Sequence, residues 1–216
     1  MSPTTSLHRG ETWIGRIEWI VALVLQFGIA LVTISALIQG QRLLVLSGIV
    51  VLLLTFTPAL LERKLRVALP VEFTLLTCAF LFASFALGEA GDFYERFWWW
   101  DLLLHGVSAM ITGIIGFLSI YVFYMTHRIR VEPIYVAVLT FGLAVAVGTL
   151  WEIFEFLADW SLGLNMQKSG LVDTMTDLMI NAAGAIVAAT MGYLYVKNGD
   201  SLLGRRVIRS LADKVE

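Results

Sequence analysis

The sequence predicts an all-α membrane protein, a polytopic bundle of about six transmembrane helices. Of its 216 residues, 58% are hydrophobic and only 15% are charged, whereas soluble domains carry about 25% charged residues. The apolar residues fall into six runs that reach or approach the ~20 residues a bilayer requires. Because nearly all apolar residues lie in these runs, we expect one integral membrane domain over residues 1–216, without a separate soluble domain.

Each apolar run sets an expected span. The runs cover residues 17–38, 43–61, 71–87, 102–125, 134–157 and 178–196. The connections are short except for 88–101 and 158–177, which hold most of the polar side chains. The first run follows a basic segment but has no small-residue cleavage site, so we expect a retained helix rather than a signal peptide.

The basic residues predict the orientation of the spans. Twelve of the 15 Lys and Arg residues fall in the N-terminal segment, the second and fourth connections and the C-terminal tail. The other three are Arg42, Arg96 and Lys168. By the positive-inside rule both termini are cytoplasmic. The tail, residues 201–216, repeats an apolar residue every fourth position, which suits an amphipathic helix on the anionic leaflet or a solvated helix.

Acidic residues and one histidine stand at the same end of three consecutive spans. They are spaced three or four residues apart within each span, so those of one span share a helix face. Short connections make neighbouring helices antiparallel and adjacent, and we expect the three faces to converge on the extracytoplasmic side. The set consists of Asp101, His105, Glu152, Glu155, Asp159, Asp173 and Asp177.

Six carboxylates and one imidazole cannot be packed in a low dielectric without compensation. They require protons, water or a bound cation. Asp, Glu and His suit a divalent metal ion, so all seven residues are candidate ligands for a cation of open identity. Glu155, as a general base, and His105 are also the candidate catalytic residues.

Simpler roles compete for some of these residues. Asp101 and Asp173 lie near expected helix starts, where a carboxylate caps free amides and complements the helix dipole. Asp159 would be solvated if it lies beyond its helix end. Glu152 and Glu155 are expected at the negative end of a helix, where a carboxylate gains nothing from the dipole. These two therefore favour a functional site.

Three functions fit this pattern. The first is a metal-dependent hydrolase or transferase acting on a lipid or lipid-linked envelope substrate. The second is a proton- or cation-coupled transporter, against which stand the few polar residues toward the cytoplasmic ends. The third is a structural or assembly subunit whose carboxylates share protons. Enzymatic activity and oligomeric state are left open.

The remaining composition excludes other partners and sites. Cys78 is the only cysteine, so neither a disulfide within the chain nor a site built on several thiolates can form. The distribution of the basic residues is explained by the orientation of the spans, so we expect no nucleic-acid partner. We expect membrane lipids around the helices.

Three runs of sequence resemble a known family. WWWDLLLHGVSAM, GTLWEIFEFLADWSLGLNMQ and DTMTDLMINAAGAIVAATMGYLY, in this order, are similar to the YjdF-like bacterial inner-membrane proteins. The resemblance implies a multi-pass protein of the bacterial inner membrane and names no reaction.

A more distant resemblance is to VanZ-like proteins. Asp101 with His105, Glu152, and Asp177 with Asn181 fill the places of the VanZ-like pattern. The chain departs from that pattern where it has Glu155 in place of Gln, Leu102 in place of a basic residue, and no Arg before the last motif. No role in antibiotic resistance is therefore implied.

Overall fold

The computed structural model describes residues 13–65, 71–127 and 132–198. These ranges contain helices and no strand, which confirms the predicted fold class. The chain divides into two compact units, one ending at Phe97 and one beginning at Trp98. The tail 201–216 and most of the basic residues that predict the orientation lie outside the described residues.

Six helical stretches in the described ranges are long and apolar enough to cross a membrane, as predicted. Three belong to the first unit, and two of these are composite: an α-helix is followed there by a second helical segment. The segments are α1 Trp13–Ile38, α2 Arg42–Leu54, α3 Thr57–Leu65, α4 Val71–Phe82, the π-helical segment Ala83–Glu89 and the short α5 Phe93–Arg96.

The first unit packs around a small apolar core. Ile29, Phe85 and Ala86 are buried together, and α1 packs against both α2 and α4. Thr55 is buried at the break between α2 and α3, where its hydroxyl accepts a hydrogen bond from Gln26 Nε2 at 3.0 Å. This polar pair joins α1 to the break between α2 and α3.

The second unit consists of three long helices, each packed against the other two. They are α6 Trp100–His127, α7 Pro133–Leu162 and α8 Leu171–Asn198. Small residues allow the close approach: a Cβ at Gly113 would lie 2.5 Å from the Cβ of Ala188, and one at Gly184 would lie 2.7 Å from the carbonyl oxygen of Gly106. Close backbone contact of this kind is how membrane helices associate.

The ends of α7 and α8 differ from the prediction. The expected connection 158–177 is wrong, because α7 continues to Leu162 and α8 begins at Leu171. The actual loop is bounded by Gly163 and Gly170, with φ of 66° and 63°, a left-handed conformation that favours glycine. Polar side chains lowered the hydropathy of turns that are helical: Asp173 and Asp177 at the start of α8, and Asp159 and Ser161 at the end of α7. The apolar runs were therefore shorter than the helices.

Candidate functional site

One imidazole stands at the centre of the second unit, between two groups of carboxylates. His105 on α6 has Nε2 3.5 Å from Asp101 Oδ1 and Nδ1 3.5 Å from Glu152 Oε1. Ligand atoms of Asp101, His105 and Asp177 all lie within 4.8 Å of one another, and so do those of His105, Glu152 and Glu155. The expected convergence of three helix faces is therefore present.

Helical spacing within each helix places these groups. Asp101 and His105 are four residues apart, as are Asp177 and Asn181 on α8, while the two glutamates of α7 are three apart. Residues three and four apart lie on the same helix face. Asp101 also lies in the first turn of α6, where a carboxylate is favoured by the helix dipole.

Several polar atoms of this cluster are buried without a hydrogen-bond partner among the described residues. Glu152 is 3% exposed, and neither of its carboxylate oxygens has a partner at hydrogen-bonding geometry in the described ranges; the Thr174 hydroxyl of α8 lies near enough to act on Glu152 without meeting that geometry. Asp177 Oδ2 and Asn181 Oδ1 are also buried without a hydrogen-bond partner in these ranges, and these residues are 1% and 2% exposed. Each such atom costs about 1–3 kcal/mol, and more when charged. Native proteins keep few of them.

Asn181 joins the cluster from α8. Its Nδ2 lies 3.4 Å from His105 Nδ1, and both side chains are buried. The sequence paired Asn181 with Asp177 in the VanZ-like pattern, but Asn181 was not predicted as a ligand. Gly148 was missed, although it lies one turn before Glu152: a Cβ there would be only 2.7 Å from Asn181 Nδ2.

Glu155 is held by a neighbour on its own helix. Trp151 Nε1 donates a hydrogen bond to Glu155 Oε1 at 2.9 Å. The four-residue spacing of the two side chains is the sequence signal for this contact. Sequence reasoning gave Trp151 no role.

Two of the seven predicted residues belong to neither group. Asp159 accepts hydrogen bonds from the backbone N–H groups of Met166, at 2.7 Å, and Gln167, at 2.8 Å. Both of its oxygens are thus used to hold the loop after α7. Asp173 lies in the first turn of α8, half-buried, with its Oδ2 buried and without a hydrogen-bond partner among the described residues.

The charges of the two groups do not balance. Four carboxylates face one imidazole, so an excess of three negative charges remains even when His105 is protonated. Lys168, in the loop before α8, acts electrostatically on Asp101, but it also acts on Asp173, a fifth carboxylate near both groups. Anions crowded in a low dielectric repel strongly, which favours protonation, hydration or a bound cation.

One of the two imidazole–carboxylate distances suits two ligands of a common cation, namely that between His105 Nδ1 and Glu152 Oε1. The two nitrogens of one imidazole point away from each other, so Asp101 beside Nε2 cannot share that cation with Nδ1. An N–H···O bond spans about 2.7–3.2 Å, whereas the two imidazole–carboxylate distances are both 3.5 Å. Two ligands at about 2.1 Å from one cation lie roughly 3.0–3.4 Å apart, depending on the coordination angle. The donors are carboxylate oxygens and one imidazole nitrogen, which hard and borderline divalent cations accept.

Six spanning helices and a buried His, Asp and Glu cluster define a multi-pass membrane protein with a polar centre in its second unit. Residues 20–198 match the family DUF2238, described as "Predicted membrane protein", and the chain belongs to this family. An "Uncharacterized protein" of Thermotoga maritima is 30% identical over 142 residues, which cover 64% of this chain and 70% of that protein.

No solved structure matches the chain. The family assignment is consistent with the resemblance to YjdF-like proteins. The resemblance to VanZ-like proteins finds no support in these comparisons.

Proposed function

We propose that the second unit binds a divalent cation within a bacterial inner membrane and uses it for hydrolysis or group transfer on a lipid or lipid-linked envelope substrate. The observation that carries the proposal is Glu152, whose two carboxylate oxygens are buried beside His105 without a hydrogen-bond partner in the described chain. A cation bound there satisfies both oxygens and reduces the charge excess of the cluster.

The candidate ligands divide by burial. His105, Glu152 and Glu155 are all buried, whereas the group of Asp101, His105 and Asp177 includes the half-buried Asp101. A bound cation supplies Lewis acidity and a water of lowered pKa. Trp151 fixes one oxygen of Glu155, which leaves the other oxygen to bind the cation beside the attacking water or to take the proton of that water as a general base.

The surroundings of Glu155 favour a substrate with an apolar chain. On the outer faces of the same turns of α7, Ile153, Phe154 and Phe156 are about half exposed, as side chains that face lipid are. A molecule anchored in the bilayer reaches the cluster laterally over these side chains, with its polar head at the carboxylates. The positive-inside rule places this end of the helices on the extracytoplasmic side, where envelope substrates lie.

Metal analysis of the purified protein is the direct test. The full chain is purified in detergent without chelator, and bound metals are measured by mass spectrometry for the wild type, for Glu152→Ala and for Glu89→Ala. Glu89 is an exposed glutamate of the first unit and serves as the matched control. We expect a stoichiometric divalent metal in the wild type and the control, and its loss in Glu152→Ala. Absence of stoichiometric metal from all three refutes the proposal.

Catalysis is tested separately from binding. Phospholipid vesicles containing the loaded protein are assayed for release of phosphate and of fatty acid, with Glu155→Gln as the comparison. Turnover that requires both the metal and Glu155 supports hydrolase activity. If the metal-loaded protein releases neither product, phospholipids are not its substrates.

Transport is the weaker interpretation. The close approach of Gly113 to Ala188, two turns beyond His105, leaves no space there between α6 and α8. The basic residues predict that this side of the cluster is the cytoplasmic one. Cation flux into liposomes that is lost in Glu155→Gln would reverse this preference.

A further inference from the structure

The amide of Asn181 stands inside the cluster with its oxygen unused. The side chain is 2% exposed, its Nδ2 lies 3.4 Å from His105 Nδ1, and its Oδ1 has no hydrogen-bond partner among the described residues. An asparagine that only joined helices would use both ends of its amide. A buried amide oxygen left without a partner costs about 1–3 kcal/mol, so a leucine of similar size would serve packing better.

Space for this amide is provided by a glycine on the facing helix. A Cβ at Gly148 would lie 2.7 Å from Asn181 Nδ2 and 2.9 Å from its Cγ, so any larger residue displaces the amide. Gly142, on the same helix, has nothing within 4 Å of the corresponding position. The close contact at Gly148 is therefore specific to Asn181 rather than general to α7.

The surroundings of His105 assign different tasks to its two nitrogens. Metal-binding imidazoles commonly donate their second N–H to a carboxylate, which fixes the tautomer. Nε2 faces Asp101 Oδ1 and Nδ1 faces both Glu152 and the Asn181 amide. With the proton on Nε2, Asp101 orients the ring and Nδ1 is free to bind a cation on the side of Glu152.

We propose that Asn181 is a ligand of this cation, and that its neutral oxygen adapts the site to a six-coordinate, oxygen-preferring ion such as Mn²⁺. The inference rests on the proposed cation site. Without the cation, Asn181 Nδ2 donates a hydrogen bond to His105 Nδ1. When the cation binds, a half-turn of the amide exchanges its two ends and brings Oδ1 to the position that Nδ2 held. The protein ligands are then His105, Glu152, Glu155 and Asn181.

This ligand set predicts how two cations respond to the loss of Asn181. Mn²⁺ and Mg²⁺ favour six ligands that are mostly oxygen, so the amide oxygen contributes directly to their binding. Zn²⁺ in catalytic sites is satisfied by three protein ligands and a water, which His105 and the two glutamates already supply. Loss of the amide oxygen therefore weakens Mn²⁺ binding and leaves Zn²⁺ binding nearly unchanged.

The experiment measures Mn²⁺ and Zn²⁺ affinities of the purified full chain by titration calorimetry in detergent. The variants are Asn181→Ala, Asn181→Asp and Gly148→Ala, with Gly142→Ala as the control. Loss of an outer-shell partner alone costs about 10–100-fold in metal affinity. We expect at least about a tenfold loss for Mn²⁺ in Asn181→Ala and Gly148→Ala, a change in Zn²⁺ affinity below about threefold, and retained Mn²⁺ binding in Asn181→Asp.

The outcomes separate the two proposals. If Asn181→Ala and Asn181→Asp lose affinity for Mn²⁺ and Zn²⁺ equally, Asn181 has a structural role. That result overturns the inference about Asn181 but leaves the proposed cation site standing. Unchanged Mn²⁺ affinity in Asn181→Ala overturns it as well. A wild-type protein that binds neither metal overturns the proposed cation site itself. Zn²⁺ binding reports whether each variant is folded at the cluster.

Discussion

Replacing Glu152 with glutamine tests whether the buried carboxylate serves cation binding or helix packing. The two side chains have nearly the same shape, so the substitution removes the charge without leaving a cavity. Glu152 is 3% exposed, and neither oxygen is hydrogen-bonded within the described residues. An ionised carboxylate in this position is costly to bury, whereas a neutral amide costs less.

Whether Glu152→Gln is more or less stable than the wild type depends on whether the cation is present. In chelator, we expect Glu152→Gln to be more stable than the wild type by about 1–3 kcal/mol, because the amide removes one buried negative charge from the repelling carboxylates, although it keeps two polar atoms of its own. At a cation concentration a hundred times the dissociation constant, binding stabilises the wild type by about 2.7 kcal/mol. Glu152→Gln lacks this carboxylate ligand and gains little stability from the cation. Its stability advantage over the wild type therefore shrinks to near zero or reverses.

The assay is reversible unfolding in mixed micelles, followed by circular dichroism in chelator and in Mn²⁺. Glu89→Gln is the control, because Glu89 is an exposed glutamate and its substitution should change the unfolding free energy in neither condition. The reasoning is refuted if Glu152→Gln is the less stable protein in chelator. That result would mean that Glu152 holds the helices together through hydrogen bonds or a shared proton, as a structural subunit requires.

Two further predictions concern the framework around the cluster. Asp159→Ala removes two charge-assisted hydrogen bonds to loop amides, each worth about 1.5–3 kcal/mol. Hydrogen exchange should then show faster opening of residues 163–170, while the metal content of the protein is unchanged. A loss of metal would instead make Asp159 a ligand. Gly113→Ala places a methyl group against α8 and should destabilise the protein by about 1–3 kcal/mol in the same unfolding assay. Gly142→Ala, which meets no neighbour, should not destabilise it.

The number of spans could be predicted because it depends only on the lengths of apolar runs. The convergence of α6, α7 and α8 could also be predicted, since side chains three and four residues apart must share a face. The ends of α7 and α8 could not, because inward-facing polar side chains such as Asp177 resemble loop residues when hydropathy is averaged. The orientation of the termini stays a prediction.

The roles of Asn181 and Gly148 lay beyond sequence reasoning for a different reason. Their contact depends on how far α7 and α8 are rotated about their own axes, and spacing within one helix carries no information about that rotation. The same limit applies to Asp159, whose distance from the cluster is set by the course of the loop that its carboxylate binds. Spacing identifies a shared face, whereas only packing decides which residues on it meet.

Binding and folding are coupled at this cluster, so a structural role and a catalytic role do not exclude each other. Each of α6, α7 and α8 carries candidate ligand atoms: His105 on α6, Glu152 and Glu155 on α7, and Asp177 and Asn181 on α8. A cation bound by such a set joins the helices, and its binding free energy is also packing free energy. A purely structural cluster would be most stable with hydrogen-bonded partners for every oxygen. Glu152 keeps two oxygens without them, an arrangement that is costly in the empty protein and that the proposed cation would relieve.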